Sequence, residues 1–187
     1  MDVYLIRHTR TANAAGLCYG QTDVALADSF ADDLHTLQQK MPEMSVNCTV
    51  YSSPLTRCVQ LAESLSANVI TDDRLLELNF GDWEGQRFDA IETELLKHWT
   101  ENFVQTAPPN GESFTDLYRR IGGFWSDLLQ AQSEKVLIVT HAGAIRALLA
   151  RVLTLPLANA FQLCIDPGSV HKLRYLNDYT YIDFLNR

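Results

Sequence analysis

Two unbroken apolar runs, each closely followed by a histidine, constrain this chain more than any other feature. Residues 3–6 read Val-Tyr-Leu-Ile before Arg7 and His8, and residues 136–139 read Val-Leu-Ile-Val shortly before His141. An apolar run without alternation is typical of a strand covered on both faces, as in the parallel sheet of an α/β domain. Ligands in such sheets bind beyond the carboxyl ends of the strands. We therefore expect both histidines at one rim of one sheet.

The rest of the pattern alternates short strands with amphipathic helices and ends in two strands. Helices are predicted at residues 28–41, 54–66, 88–103, 113–132 and 144–153, and further strands at residues 48–51, 68–71, 170–176 and 180–185. This order predicts an α/β fold, a three-layer α/β/α sandwich with a mostly parallel central sheet, as a single domain over residues 1–187.

Local signals set the expected helix ends. Pro42 is expected to end the first helix, and Ser53 and Pro54 are expected as the N-cap and first residue of the second helix. The Gly122–Gly123 pair is expected to weaken the middle of the fourth helix.

Charge and cysteine usage argue against several classes of function. The 187 residues have a formal net charge of −8, whereas nucleic-acid binding needs a basic surface. No apolar run approaches the roughly 20 residues of a membrane-spanning helix. The four cysteines form no CxxC pair, so we expect reduced thiols in a cytoplasmic protein.

The side chains expected at the sheet rim are basic, and they predict a phosphate site. Arg7, His8 and His141 follow the two strands, and Arg57 lies in the first turn of the second helix, off its apolar stripe. Guanidinium groups match phosphate oxygens in pairs, and a helix that starts after His141 adds backbone N–H donors. A neutral histidine among these charges can attack phosphorus and form a phosphohistidine, which water then hydrolyses.

The leaving alkoxide of such a reaction needs a proton, which a carboxylic acid can donate. Glu77 is the preferred candidate, and Glu84, further along the same loop, is the second.

Two other classes of function stay open on these residues. His8, His141 and an acid could ligate a metal ion in a metallohydrolase, although the flanking arginines would repel a cation. A module with the same pocket could also bind phosphoesters without catalysis. The preferred interpretation needs no metal and no cofactor, and its partner is a small-molecule phosphomonoester.

Five short motifs stand in order along the chain: LIRHT at 5–9, SPLTR at 53–57, ELNFGDWEG at 77–85, GES at 111–113 and THAG at 140–143. Together they resemble the motif set of the histidine phosphatase superfamily, which includes the cofactor-dependent phosphoglycerate mutases. The resemblance implies a three-layer fold without a metal. It also implies His8 as the nucleophile, Glu77 as the proton donor, and a phosphate pocket of Arg7, Arg57 and His141.

Within that family, residues 16–24 resemble a loop of the alpha-ribazole phosphatases. These enzymes remove the 5′-phosphate from alpha-ribazole 5′-phosphate or its cobamide form during cobalamin assembly. Similar loops occur in other phosphatases of the family, so a broad-specificity phosphatase or a mutase-like enzyme is the alternative. The chain lacks the insert and long tail of many mutases, which favours hydrolysis.

Two positions depart from the family pattern. Thr9 replaces the usual glycine after the first histidine, and Ala14 replaces the usual asparagine, with Asn13 one position early. We hypothesise that Gln21 contacts phosphate in its place.

The remaining substrate contacts are predicted more coarsely. Tyr19 and Ala142 are further candidates, and the leaving-group pocket is expected from residues 16–25 and 88–110. A homodimer is a hypothesis, because the apolar C-terminal hairpin offers an edge for pairing.

Overall fold

A six-stranded sheet with helices on both faces forms the protein. The computed structural model describes residues 1–13, 15–41, 48–131 and 133–187. The strands are β1 (Asp2–Arg7), β2 (Thr49–Ser52), β3 (Val69–Thr71), β4 (Lys135–Thr140), β5 (Val170–Leu176) and β6 (Tyr179–Phe184). The α-helices of the described residues are α1 (Phe30–Lys40), α2 (Thr56–Leu65), α3 (Thr93–Asn102), α4 (Phe114–Gln130) and α5 (Ala142–Val152).

The sheet has the strand order β3-β2-β4-β1-β5-β6. The first four strands of this order are parallel, and β5 and β6 are antiparallel to their neighbours. The two apolar runs therefore lie side by side, with Arg7 opposite Thr140, and the His8 N–H donates to the Thr140 carbonyl at 3.0 Å. The expectation that both histidines share one rim is confirmed.

Alternate residues of β1 face two separate cores. Val3 and Leu5 belong to the apolar cluster formed with α4 and α5, whereas Tyr4 and Ile6 belong to the cluster formed with α1 and α2. All four side chains are buried, because helices cover both faces of the sheet. This arrangement confirms the predicted three-layer sandwich with a mostly parallel sheet.

The start of α2 differs from the prediction. Leu55, rather than Ser53, is the N-cap residue, and the helix begins at Thr56. The Ser53 hydroxyl is engaged with His141 instead, 2.8 Å from its Nε2. Asp23 takes over the capping role from a distant loop, since its carboxylate accepts both the backbone N–H and the hydroxyl of Thr56.

The predicted helix at 88–103 is wrong over its first turns. Residues Phe88–Ala90 form a 3₁₀ turn, and α3 begins only at Thr93. The chain bends between the two because Ile91 is buried against Cys18 and Trp83 in a small separate cluster. The other predicted helices are present within a few residues, while the positions of Pro42 and Gln132 lie outside the described residues.

The glycine pair does not interrupt α4, which runs unbroken from a Ser113–Asp116 capping box. Gly122 faces α5, where a Cβ would collide with the guanidinium of Arg151. The absence of a side chain at Gly122, which was expected to weaken α4, therefore lets Arg151 of α5 pack closely against it.

The predicted C-terminal hairpin is present. Its turn is Asn177–Asp178, with φ values of 53° and 60° that match a two-residue hairpin turn. Tyr179, expected in the turn, is the first residue of β6. Among the helices described, none combines the length and apolarity needed to span a membrane.

Candidate active site

His8 lies at the carboxyl end of β1, almost completely buried. Its Nδ1 is 2.7 Å from the Thr9 carbonyl, which assigns the ring proton to Nδ1 and leaves the lone pair on Nε2. Burial, with a further contribution from the Arg57 charge, lowers the pKa of His8 to about 3, although the Thr9 bond opposes this shift. The imidazole is therefore neutral near pH 7 and has a nucleophilic nitrogen.

His141 lies directly beside His8 at the end of β4. The two rings meet edge to face, with centroids 5.1 Å apart. Burial, together with the neighbouring His8 and Arg57, holds the pKa of His141 well below its ordinary value. The hydrogen bond between its Nε2 and the Ser53 hydroxyl fixes the His141 ring. The neutral His141 ring therefore packs against His8 without adding a charge.

Arg57 and Arg7 supply positive charge without an opposing carboxylate. The Arg57 side chain is fully buried, and its two Nη atoms donate to the carbonyls of Gly20 at 2.6 Å and Thr22 at 2.9 Å. Arg7 donates to the Ile165 carbonyl at 2.6 Å. Within the described residues neither arginine forms an ion pair with an acid. An uncompensated buried charge costs several kcal/mol, so this arrangement favours a bound anion.

Glu77 brings a carboxylate to the same place from the loop after β3. Its Oε2 accepts the backbone N–H of Gly143 at 3.0 Å, and its Oε1 accepts the N–H of Leu78 at 2.9 Å. Its own carbonyl receives the Gln21 amide at 3.0 Å and the Arg120 guanidinium at 3.2 Å. The backbone and the carboxylate of Glu77 are thus fixed by three separate segments.

Glu84, the second candidate for the proton donor, has a different task. Its Oε1 accepts the N–H groups of Gln21 at 2.8 Å and Phe80 at 3.1 Å, and its Oε2 accepts the N–H and hydroxyl of Thr22. Burial alone would raise the pKa of Glu84, but these hydrogen bonds outweigh it and lower the pKa. An ionised, fully bonded carboxylate is poorly suited to donate a proton, which favours Glu77.

Four of these groups, His8, Arg7, Arg57 and Glu77, line one cavity of about 320 Å³. It is lined by Arg7, His8, Leu17, Tyr19, Arg57, Glu77, Phe80, Phe88 and Arg146. Leu17, Tyr19 and Phe88 come from the segments predicted to form the leaving-group pocket. Phe80 and Arg146 were not anticipated, although Arg146 lies three residues after Gly143, on the same side of α5 by helical spacing.

Four predicted contact residues lie outside this lining. His141 packs against the His8 ring, with its Nε2 at the Ser53 hydroxyl. Gln21 supports the Glu77 carbonyl, and Ala142 is the first residue of α5. The amide nitrogen of Asn13 is buried with no hydrogen-bond partner among the described residues. Their contact with phosphate stays a prediction.

The donor set of the metal alternative is not assembled. In residues 1–13, 15–41, 48–131 and 133–187, no three His, Cys, Asp or Glu side chains are grouped closely enough to hold a metal ion.

Comparison with known proteins identifies the family of this site. The model of the histidine phosphatase superfamily (branch 1) matches residues 3–187. This chain belongs to that superfamily. The matched range contains the positions of His8, His141, Arg7, Arg57 and Glu77.

Relatives of this histidine phosphatase have several names. The chain is 29% identical to the adenosylcobalamin/alpha-ribazole phosphatase of Salmonella typhimurium, over 100% of this chain and 96% of that protein. It is 32% identical to a probable phosphoglycerate mutase of Yersinia pestis, over 94% and 85% of the two chains.

Solved structures show the same fold. The alpha-ribazole phosphatase from Shigella flexneri superposes with a TM-score of 0.89 at 26% identity, over 100% of this chain and 96% of that one. The mycobacterial glucosyl-3-phosphoglycerate phosphatase gives a TM-score of 0.83 at 26% identity, over 99% and 98% of the two chains.

Proposed function

We propose that this histidine phosphatase is a phosphomonoesterase that works through a phosphohistidine intermediate. One observation supports this most strongly. A buried, neutral His8 with its lone pair on Nε2 lines a cavity in which Arg7 and Arg57 have no carboxylate partner. The cavity therefore combines a nucleophile with charges that suit a phosphate dianion.

The proposed reaction has two steps. Nε2 of His8 attacks phosphorus, the bond from phosphorus to the ester oxygen breaks, and Glu77 gives its proton to the departing alkoxide. Glu77 then takes a proton from water, whose oxygen attacks the phosphohistidine and releases inorganic phosphate. The proton stays on Nδ1 throughout, and its hydrogen bond to the Thr9 carbonyl stabilises the positive charge on the phosphorylated ring.

Arg7 and Arg57 bind the oxygens of the transferring phosphoryl group in this mechanism. Because carbonyls of residues 20 and 22 fix the Arg57 fork, its position is set before substrate arrives. Such preorganised charge lowers the barrier without reorganisation during the reaction.

We propose alpha-ribazole 5′-phosphate, or its cobamide form, as the substrate. The loop at residues 16–24 and the names of two relatives support this choice. Leu17, Tyr19, Phe80 and Phe88 give the cavity lining an apolar part that suits a planar aromatic base. A broad-specificity phosphatase is the second candidate, supported by relatives named for phosphoglycerate and glucosyl-3-phosphoglycerate chemistry.

Location and assembly complete the proposal. All four cysteines are free thiols, which supports a cytoplasmic location. Exposed Tyr179 and Tyr181 on the outer strand β6 support a homodimer through the hairpin. Light scattering at several concentrations tests the dimer, and a single monomer mass throughout would contradict it.

The mechanism is tested with His8→Ala and a matched control, His35→Ala, whose imidazole is exposed on α1. Rapid quench with ³²P-labelled substrate should trap an acid-labile phosphoprotein in the wild type and in the control, but not in His8→Ala. Unchanged turnover in His8→Ala would refute the mechanism. Absence of turnover in the wild type on every phosphoester would indicate a binding module instead.

The substrate is tested by kcat/KM on alpha-ribazole 5′-phosphate, p-nitrophenyl phosphate and a panel of sugar and glycerate phosphates. A preference of about 100-fold for the ribazole, roughly 2.7 kcal/mol of transition-state discrimination, supports the dedicated role. Equal rates across the panel would favour the broad-specificity phosphatase.

A further inference from the structure

We propose that Arg146 binds a second anionic group, a carboxylate or a phosphodiester, on the leaving-group side of the substrate. This inference rests on the proposed phosphomonoesterase function and narrows its substrate class. It assigns a binding role to a side chain that the motif pattern did not single out.

Arg146 is held in place by groups that do not neutralise its charge. Its Nε donates to the Leu163 carbonyl at 3.0 Å, and its guanidinium lies over the Phe161 ring at 4.9 Å. The side chain is half-buried and lines the same cavity as His8. No carboxylate among the described residues lies within 4.0 Å as an ion-pair partner.

Burial lowers the pKa of Arg146 and the charge of Glu77 opposes this effect, but Glu77 is not a bonded partner of this arginine. The Glu77 carboxylate is already bonded to two backbone N–H groups, and it forms no ion pair with Arg146. A proton donor must also be uncharged before it acts, and a protonated acid gives Arg146 nothing to neutralise.

The charges of the cavity point to one more anion. In the acid form that the proposed mechanism requires of Glu77, and with His8 neutral, the charges of Arg7, Arg57 and Arg146 sum to three positive charges. A phosphate dianion compensates two of them, so one charge remains beside the leaving group. Charge-assisted hydrogen bonds to a guanidinium are among the stronger polar contacts in proteins, particularly where the site is partly shielded from water.

The position of Arg146 also indicates what the rest of the leaving group resembles. Phe80 and Phe88 line the same cavity as the arginine, and their rings contact each other. The preferred substrate is therefore a phosphomonoester whose alcohol part combines one negative charge with an apolar surface. Of the two substrates proposed above, this favours the cobamide form, which carries a phosphodiester, over alpha-ribazole 5′-phosphate, whose alcohol part is uncharged.

Calorimetric binding of phosphonates tests this inference without requiring turnover. The probes are ω-phosphonoalkanoates with two to five methylenes, compared with alkylphosphonates of equal chain length. A second series ends in a methyl phosphodiester and separates the two kinds of anion. At one chain length or more, the wild type should bind an anionic probe about tenfold more tightly, about 1.4 kcal/mol.

Variants test whether Arg146 causes the tighter binding of the anionic probe. The ratio of the two affinities should fall below about twofold in Arg146→Gln and be kept in part in Arg146→Lys. Arg119→Gln, which changes an exposed arginine on α4, should retain it fully. An advantage that persists in Arg146→Gln, or none at any length in the wild type, would overturn the proposal.

Steady-state kinetics provide an independent test of the anion site at Arg146. The ratio of kcat/KM for 3-phosphoglycerate to that for glycerol 3-phosphate compares a carboxylate with a hydroxymethyl group. It should drop about tenfold from wild type to Arg146→Gln, and an unchanged ratio would contradict the assignment. Because the phosphonates report binding alone, a failed phosphohistidine mechanism and a failed anion site give different results.

Discussion

Glu77 and Gly143 are joined by a 3.0 Å hydrogen bond from the Gly143 backbone N–H to the Glu77 Oε2. Gly143 lies in the first turn of α5, so the proposed proton donor is held at a helix N-terminus. A Cβ at position 143 would collide with this carboxylate. The glycine therefore sets the distance between the acid and the helix.

Gly143→Ala should consequently lower kcat by at least about tenfold, since the added methyl displaces Glu77 from the departing oxygen. The matched control is Gly123→Ala on α4, where the nearest side-chain atom to a new Cβ is 3.9 Å away. That control should keep full activity and gain up to about 1 kcal/mol of helix stability. Steady-state kinetics and urea unfolding of both variants make the comparison, and equal kcat in all three proteins would refute the role of the glycine.

Arg57→Lys should lower kcat/KM by about 100-fold, although the charge is kept. An ammonium group cannot donate to the Gly20 and Thr22 carbonyls and also present a planar fork to phosphate. The loss corresponds to about 2.7 kcal/mol of transition-state stabilisation. Arg119→Lys is the control, because Arg119 is exposed on α4. A similar kcat/KM in Arg57→Lys and the control would show that charge alone suffices.

Glu84→Gln should make the free energy of unfolding less dependent on pH in the acidic range. Because the pKa of Glu84 is lowered in the folded state, its contribution is present above the ordinary glutamate pKa and is lost as pH falls through the folded-state pKa. The free energy of unfolding, measured in urea from pH 3 to 7, should therefore fall less steeply in the variant than in the wild type. Parallel curves would argue against an ionised Glu84 in the fold.

His171 predicts a second pH effect, at a higher pH. It is buried between Ser169 and the backbone N–H of Asn186, and burial lowers its pKa to about 4. Between pH 6.5 and 4 the unfolded chain binds a proton that the folded protein excludes, so stability decreases as pH falls through this window. The decrease from this residue is up to about 3 kcal/mol.

The measurement is the pH slope of the unfolding free energy from pH 4.5 to 7. His171→Gln should reduce the slope by close to one proton, while His98→Gln, on the exposed face of α3, should leave it unchanged. Identical slopes for wild type and His171→Gln would mean that His171 titrates normally.

The features of the fold that could be predicted from sequence are those that depend on residues adjacent in the chain. The runs at 3–6 and 136–139 were sufficient to place two buried strands, and their parallel pairing brought His8 and His141 together. The prediction of a helix over 88–103 was wrong in its first turns because Ile91 packs against Cys18. The residues near Ile91 in sequence do not indicate this long-range contact.

The candidate site divides in the same way. Arg7 and His8 follow directly from the end of β1, whereas the roles of Ser53 and Glu84 depend on partners far away in the chain. From sequence alone Ser53 resembles a helix cap, but in the structure its hydroxyl is hydrogen-bonded to His141. Glu84 resembles an acid catalyst in sequence, but its carboxylate accepts hydrogen bonds from residues 21 and 22. Short-range patterns do not encode such long-range hydrogen bonds.

The position of β1 in the sheet has a consequence for synthesis on the ribosome. Within this sheet β1 is translated before the other strands, yet its neighbours β4 and β5 begin only at residues 135 and 170. Until those segments emerge, an apolar strand with two unpaired edges is open to aggregation or to chaperones. The proposed phosphate site likewise cannot form before His141 is translated, so the nascent chain has no complete site until then.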